Sequence, residues 1–246
     1  MNWKKKLATY ASLTVLATFI IHIINKLIYF MSTIDNLLGR KEGLYYEWRF
    51  GKIFYTKEGT GKPILLIHDL SACSSEYEWN RIVSDLSKKN TVYTLDLLGC
   101  GKSDKPNFTY TNFLYVQLVT DFINNVIGEK ADVIVTGNSC SFVLMACHNN
   151  DEIIDRILLI NPPSISSISK VPTKRTKMLK FIINIPFIGT LLFNLLHSKD
   201  SIEQTFMTEY FYNPQFVDDE IVKTYCESAQ ISKTQSKYLF ASIKGK

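Results

Sequence analysis

Cysteine is scarce in this chain and its placement follows no pattern. The five residues Cys73, Cys100, Cys140, Cys147 and Cys226 are odd in number and share no metal-ligand spacing. That argues against a disulfide framework and against a zinc site, and the thiols read as small apolar fillers. Charge of one sign is also thinly spread. The net charge is +5, with lysines scattered except for Lys4, Lys5 and Lys6, so there is no continuous basic surface of the kind a nucleic acid requires. No repeat or low-complexity tract interrupts the sequence, which excludes solenoids and arrays. Neither a metal nor an organic cofactor is expected.

The 246 residues are enough for one domain with a proper core plus an appendage. At 46% hydrophobic and 21% charged the balance is that of a globular protein, but the apolar residues pile up near the N-terminus and around residues 178–196. From Leu7 to Ile24 the only strongly polar residue is His22, a run just long enough to cross a bilayer. It follows the lysine cluster and continues past Asn25 and Lys26 into Leu27–Phe30 without a small-x-small cleavage site. Residues 1–43 are therefore read as an uncleaved membrane anchor, spanning through residues 7–24, and its linker. The competing reading is a helix laid over the domain's own surface. Lys26, Arg40 and Lys41 on the far flank leave the side of the membrane open.

From Leu44 the pattern becomes that of a folded body. Two aromatic-rich segments, Leu44–Phe50 and Ile53–Glu58, flank Gly51-Lys52 and predict an antiparallel hairpin. The continuous apolar run Ile64–Ile67 then predicts a strand buried on both faces. Further strands are predicted at Thr91–Leu95, Asp132–Thr136 and Arg156–Ile160, and helices at 76–87, 112–127 and 140–150. Strand and helix alternate from 64 to 160, so the fold class is α/β, a mostly parallel sheet opened by an antiparallel hairpin. After Asn161-Pro162-Pro163 the alternation stops. A serine-rich loop (Ser164, Ser166, Ser167, Ser169) and a basic patch lead into helical sequence, read as a lid over residues 164–246. Within it Pro186 and Gly189 break the apolar stretch Met178–Leu196 into two short helices.

Ligands of a parallel sheet collect at the carboxyl ends of its strands, and three loops there are informative: His68-Asp69-Leu70-Ser71-Ala72, Asp96 to Pro106, and Gly137-Asn138-Ser139-Cys140-Ser141. In the third, a serine on a sharp strand-to-helix turn needs small residues two before and two after it, a need met by Gly137 and Ser141. The helix that follows points free N–H groups at an oxyanion formed beside that serine. In the second loop, glycines permit a tight turn and Asp96 is suited to capping backbone groups.

In this order and spacing the loops resemble those of the α/β-hydrolase superfamily, close to its esterase, epoxide-hydrolase and haloalkane-dehalogenase relatives, over about Leu44 to Ser164. The resemblance implies that residues 44–163 are the nucleophile-bearing part of the core. It makes Ser139 the catalytic nucleophile, with the N–H groups of Leu70 and Cys140 as oxyanion donors and His68 orienting its loop. Serine rather than aspartate at position 139 favours ester hydrolysis over dehalogenase or epoxide-hydrolase chemistry. Two residues depart from the family pattern: Ser141 stands for a glycine, and Asp69 replaces a common glycine, setting a carboxylate beside the oxyanion site. None of the histidines His22, His68, His148 and His197 occupies the place of the catalytic base, which in this superfamily follows the lid together with the acid. The expectation is a chain truncated within its lid, a membrane-anchored serine carboxylic-ester hydrolase impaired or inactive in this form. Its partners would be a small, apolar ester and the membrane, without nucleic acid. The alternative is a non-catalytic, membrane-associated binding or scaffold protein that keeps the hydrolase fold.

Overall fold

The protein is described from a computed structural model that covers residues 3–164 and 174–244; the serines expected in a loop at 166, 167 and 169 lie outside the described residues. Six strands form one sheet: β1 (Leu44–Trp48), β2 (Gly51–Glu58), β3 (Lys62–Ile67), β4 (Asn90–Leu95), β5 (Ala131–Thr136) and β6 (Ile154–Ile160), in the order β1-β2-β4-β3-β5-β6. The hairpin β1–β2 and the pair β2–β4 are antiparallel, whereas β3 pairs in parallel with β4 and β5, and β5 with β6. The mostly parallel α/β sheet with an antiparallel N-terminal hairpin is thus the architecture the sequence pattern predicts.

Alternation along β3 explains the layering, since successive side chains of a strand point to opposite faces. Leu65 and Ile67 face one core with Tyr115, Leu118, Phe122, Phe142 and Val143, which come from α3 (Asn112–Phe122) and α4 (Ser139–Asn149). Ile64 and Leu66 face the other with Trp79 and Val83, from a short 3-10 turn (Glu76–Trp79) and α2 (Asn80–Leu86). A strand covered on both faces has no use for polar residues, hence the unbroken apolar run. Thr111 caps α3 by accepting the N–H of Leu114.

Beyond β6 the described chain is helical: α5 (Lys174–Asn184), α6 (Ile188–Leu196), α7 (Lys199–Thr205), α8 (Asp219–Thr234) and α9 (Lys237–Lys244). The apolar stretch is broken, α5 and α6 meeting at 114° at Pro186, with Phe187 in a positive-φ conformation. Leu239 of α9 joins the main core, tying this layer to the sheet.

α1 (Trp3–Thr33) is the one helix among the described residues long and apolar enough to cross a membrane by itself. Residues 3–17 are exposed along their whole length. From Thr18 onward one side of the helix packs on α6 and α8. There the buried Asn25 donates to the carbonyl of Phe187 at 3.0 Å and accepts from Asn194 at 3.0 Å, and His22 meets the Phe187 ring edge-on. The linker is pinned as well. Leu37 N–H donates to Glu227 at 2.7 Å. Lys102 Nζ donates to the carbonyls of Leu38 and Lys41 at 2.9 and 2.8 Å while lying 3.6 Å from the centre of the Phe54 ring.

Candidate active site

The chain leaves β5 at Thr136 and enters α4 at Ser139, so Gly137 and Asn138 make the whole reversal. Gly137 takes it in the left-handed region at φ 54°, which costs a residue without Cβ little. Asn138 is already right-handed helical at φ −63°, ψ −23°. The left-handed residue is therefore two positions before Ser139, and Ser139 itself begins the helix. Its hydroxyl is fully buried and donates to the carbonyl oxygen of His68 at 2.6 Å. Ser141 closes the turn by donating to the carbonyl of Asn138 at 2.8 Å.

The main-chain donors beside Ser139 are engaged within the protein. Cys140 N–H donates to the Gly137 carbonyl at 3.2 Å. The carboxylate of Asp69, which is 8% exposed, accepts from the N–H of Asn138 at 2.6 Å, from Asn138 Nδ2 at 3.2 Å and from the N–H of Leu70. Asp69 is therefore turned toward the amino end of α4, at the wall of a cavity above the turn. The physical reason is local: a buried carboxylate requires donors, and the amino end of α4 supplies them together with a favourable dipole. Burial still raises the carboxyl of Asp69 above its ordinary range, against the lowering effect of these hydrogen bonds. Gly137 is bound to the same arrangement, since a Cβ there would lie 2.3 Å from Asp69 Oδ1.

His68 supports this loop and is unavailable as a base. Its Nε2 accepts from Leu97 N–H at 3.0 Å, so the proton resides on Nδ1, which donates to the carbonyl of Asp69 at 2.7 Å. Complete burial lowers its pKa to about 4, keeping the ring neutral. The thiol of Cys140 is buried and raised by that burial, which disfavours it as a rival nucleophile. In the second loop Asp96 accepts from the N–H groups of Glu76 at 2.6 Å and Lys102 at 2.7 Å, the backbone-capping role its position suggests.

A cavity of about 880 Å³ opens above this turn. Its floor is made by the loops after β3, β5 and β6, including Asp69, Gly137, Asn138 and Asn161, and its roof by the helical layer through His197, Phe206, Tyr210 and Tyr225. Ser139 lies behind Gly137 and Asn138, facing His68. Glu78 also lines the cavity: it accepts the hydroxyl of Thr136 and, at 3.2 Å, the N–H of Asp69. Burial first, and then the neighbouring Asp69, push its carboxyl up to about 7. His197, placed by the sequence in the lid, reaches the cavity wall, where its ring stacks on Phe193 and Nδ1 lies 3.0 Å from the Phe193 carbonyl. Sequence reasoning missed Glu78, Asn138 and Tyr210. Glu78 sits in Glu76-Tyr77-Glu78-Trp79, an ordinary helix start, and only the β3–β5 pairing sets it under Thr136. Among the described residues no group of three or more His, Cys, Asp and Glu side chains is disposed to hold a metal ion.

Comparison with known proteins matches residues 64–241 to the model of the Alpha/beta hydrolase family. A 2-hydroxy-6-oxo-6-(2'-aminophenyl)hexa-2,4-dienoic acid hydrolase of Metapseudomonas resinovorans is 34% identical over 86 residues, 35% of this chain and 29% of the relative. A soluble epoxide hydrolase of Corynebacterium sp. (strain C12) is 25% identical over 110 residues, 45% of this chain and 38% of the relative. The matches thus span well under half the length of these curated relatives. Among solved structures, the epoxide hydrolase CorEH without ligand superposes with a TM-score of 0.64 at 18% identity, covering 83% of this chain and 73% of the other. A serine hydrolase involved in carbazole degradation superposes with a TM-score of 0.64 at 18% identity, covering 82% and 68%.

Proposed function

Because the chain belongs to the alpha/beta hydrolase family, we propose that it is a membrane-anchored serine hydrolase of small, apolar carboxylic esters whose activity is impaired in the described form. The observation that carries this reading is the turn Gly137–Ser141, which joins the buried β5 to the amino end of α4 at the floor of the cavity. Acyl transfer from Ser139 would put negative charge beside the amino end of α4, whose dipole favours it, and the resemblance assigns the donors for it to the N–H groups of Leu70 and Cys140. The relatives named above are hydrolases of small molecules, which supports the substrate class at that level. The apolar α1, exposed over residues 3–17, supports the anchor.

Three features hold the chemistry off, the first being that His68, the histidine beside Ser139, is committed to Leu97 and Asp69 and does not take the serine proton. The Ser139 hydroxyl donates into the core, and Asp69 occupies donors that an oxyanion would use. A productive state requires the Ser139 side chain to turn toward the cavity and the carboxylate of Asp69 to withdraw, because a fixed negative charge there opposes a second one. The same three features favour a second reading, a non-catalytic membrane-associated protein that binds a ligand in the cavity.

A fluorophosphonate probe separates the two. The expected outcome for a hydrolase is covalent labelling of the full chain in detergent that Ser139→Ala abolishes and Asp69→Gly raises by about tenfold or more, a conservative figure for freeing an oxyanion donor. Equal labelling of the original chain and Ser139→Ala overturns the catalytic reading. So does an Asp69→Gly variant that folds, binds small esters and remains unlabelled, an outcome that would support the binding protein.

A further inference from the structure

The way α1 sits on the helical layer fixes where a bilayer surface must fall. This step rests on the proposed membrane anchoring. Of the proposed span 7–24, only residues 7–17, 11 residues, are exposed along their whole length, and at 1.5 Å per residue they extend about 16 Å. The hydrocarbon core of a bilayer is about 30 Å thick and needs about 20 residues. The rest of the span comes from Thr18 to Ile24, the stretch where α1 already packs on the protein and His22 meets Phe187 at the corner between α5 and α6. That corner is therefore drawn down to the level of the lipid.

Its composition fits the position. Phe187 and Ile188 at the corner are 41% and 50% exposed, and Phe181 on α5 is 71% exposed, large apolar side chains that contact with lipid would cover. Lys174 and Lys177, exposed on the same helix as Phe181, add the positive charge that favours an anionic headgroup layer. Between helix and corner lies a second cavity of about 400 Å³, lined by Thr14, Val15, Thr18, Phe19, His22 and Phe187. Apart from the His22 ring and two threonines its walls are apolar. Both threonine hydroxyls are turned away to the main chain of α1, Thr14 to Tyr10 and Thr18 to Thr14, each at 2.9 Å. A slot of that shape at that depth suits a lipid acyl chain.

We propose that the α5–α6 corner is an interfacial surface, immersed in the headgroup and upper acyl region beside α1, with an acyl chain occupying the slot against Phe187. The helical roof of the large cavity then faces the bilayer while the sheet points away. Leu196, at the far end of α6, is 43% exposed and also lines that cavity, so α6 runs from the corner to the cavity wall.

The test uses the full chain in phosphatidylcholine vesicles containing phosphatidylglycerol and a phospholipid with a diazirine in its acyl chain, with adducts mapped by mass spectrometry after illumination. Expected are adducts on residues 7–24 and on the segment 178–196, the latter rising with the anionic lipid fraction. In Phe181→Glu/Ile188→Glu the adducts on 178–196 are expected to drop by about tenfold, equivalent to ~1.4 kcal/mol, with those on α1 unchanged. Adducts confined to α1 overturn the corner as a lipid contact and leave the anchor standing. Absence of adducts on α1 overturns the anchor itself. Cross-links between two copies of the chain at 178–196, in place of lipid adducts, overturn the assignment of lipid as the occupant.

Discussion

His68 and Glu78, on either side of Asp69, respond to pH in opposite senses. Unfolded, Glu78 ionises near 4.5, but in the folded chain it holds its proton up to about 7; the native state binds the extra proton, so stability falls as pH rises from 4.5 to 7. His68 does the reverse. Its unfolded ring takes a proton near 6.5 and the buried ring only near about 4, so stability rises with pH between 4 and 6.5. Each effect amounts to about 3 kcal/mol, and between 4.5 and 6.5 they offset one another. Glu78→Gln is expected to unmask the histidine, giving denaturation midpoints that climb from pH 4 to 6.5, whereas His68→Gln is expected to leave a chain that weakens from 4.5 to 7. Urea titrations in mild detergent at pH 4, 5.5, 6.5 and 8 measure both; parallel slopes in the two variants would refute the pairing. The turn at Gly137 and the oddity of Asp69 were legible in the sequence, because glycine before a serine and a carboxylate in place of glycine are local signals. The coupling to Glu78 was not, since it depends on which strand lies beside which.

Among the elements, the strands were the most legible, since a sheet covered on both faces writes itself as short apolar runs. Helix ends were read less well: the segment predicted as one helix over 76–87 starts as a 3-10 turn, and the one over 112–127 closes in a π turn over Ile123–Ile127 that Gly128 terminates at φ 79°. The break in α8 had no signal at all. Ile231 is extended, and Ser232 and Lys233 are left-handed at φ 64° and 56°, although neither is glycine or asparagine. Holding an L-residue there costs ~1–2 kcal/mol, and glycine returns part of that to unfolded-chain entropy. Lys233→Gly is accordingly expected to stabilise the protein by ~0.5–1 kcal/mol, read as a rise in the thermal midpoint; a fall would show that the lysine side chain contributes more than its backbone strain removes.

At the scale of the whole molecule, the α/β class and the order of its parts could be read from alternation alone, but the attachment of α1 to the helical layer could not. It is made by contacts such as Asn25 with Phe187 and Asn194, separated in sequence by more than half the chain. Asn25→Leu leaves the buried amide of Asn194 without its acceptor, while the Phe187 carbonyl keeps the N–H of Leu191 at 2.9 Å, at a cost of ~1–3 kcal/mol. Hydrogen exchange of the α6 amides is expected to quicken by about tenfold or more, while the sheet amides keep their rates; uniform acceleration would mean that the contact stabilises the entire fold. Because grips on α6, α8, Glu227 and Lys102 follow one another from Thr18 to Lys41, there is no swivel between shaft and body. With α1 inserted as proposed, such a molecule is free to spin about the bilayer normal but cannot tumble, and its cavity keeps one heading.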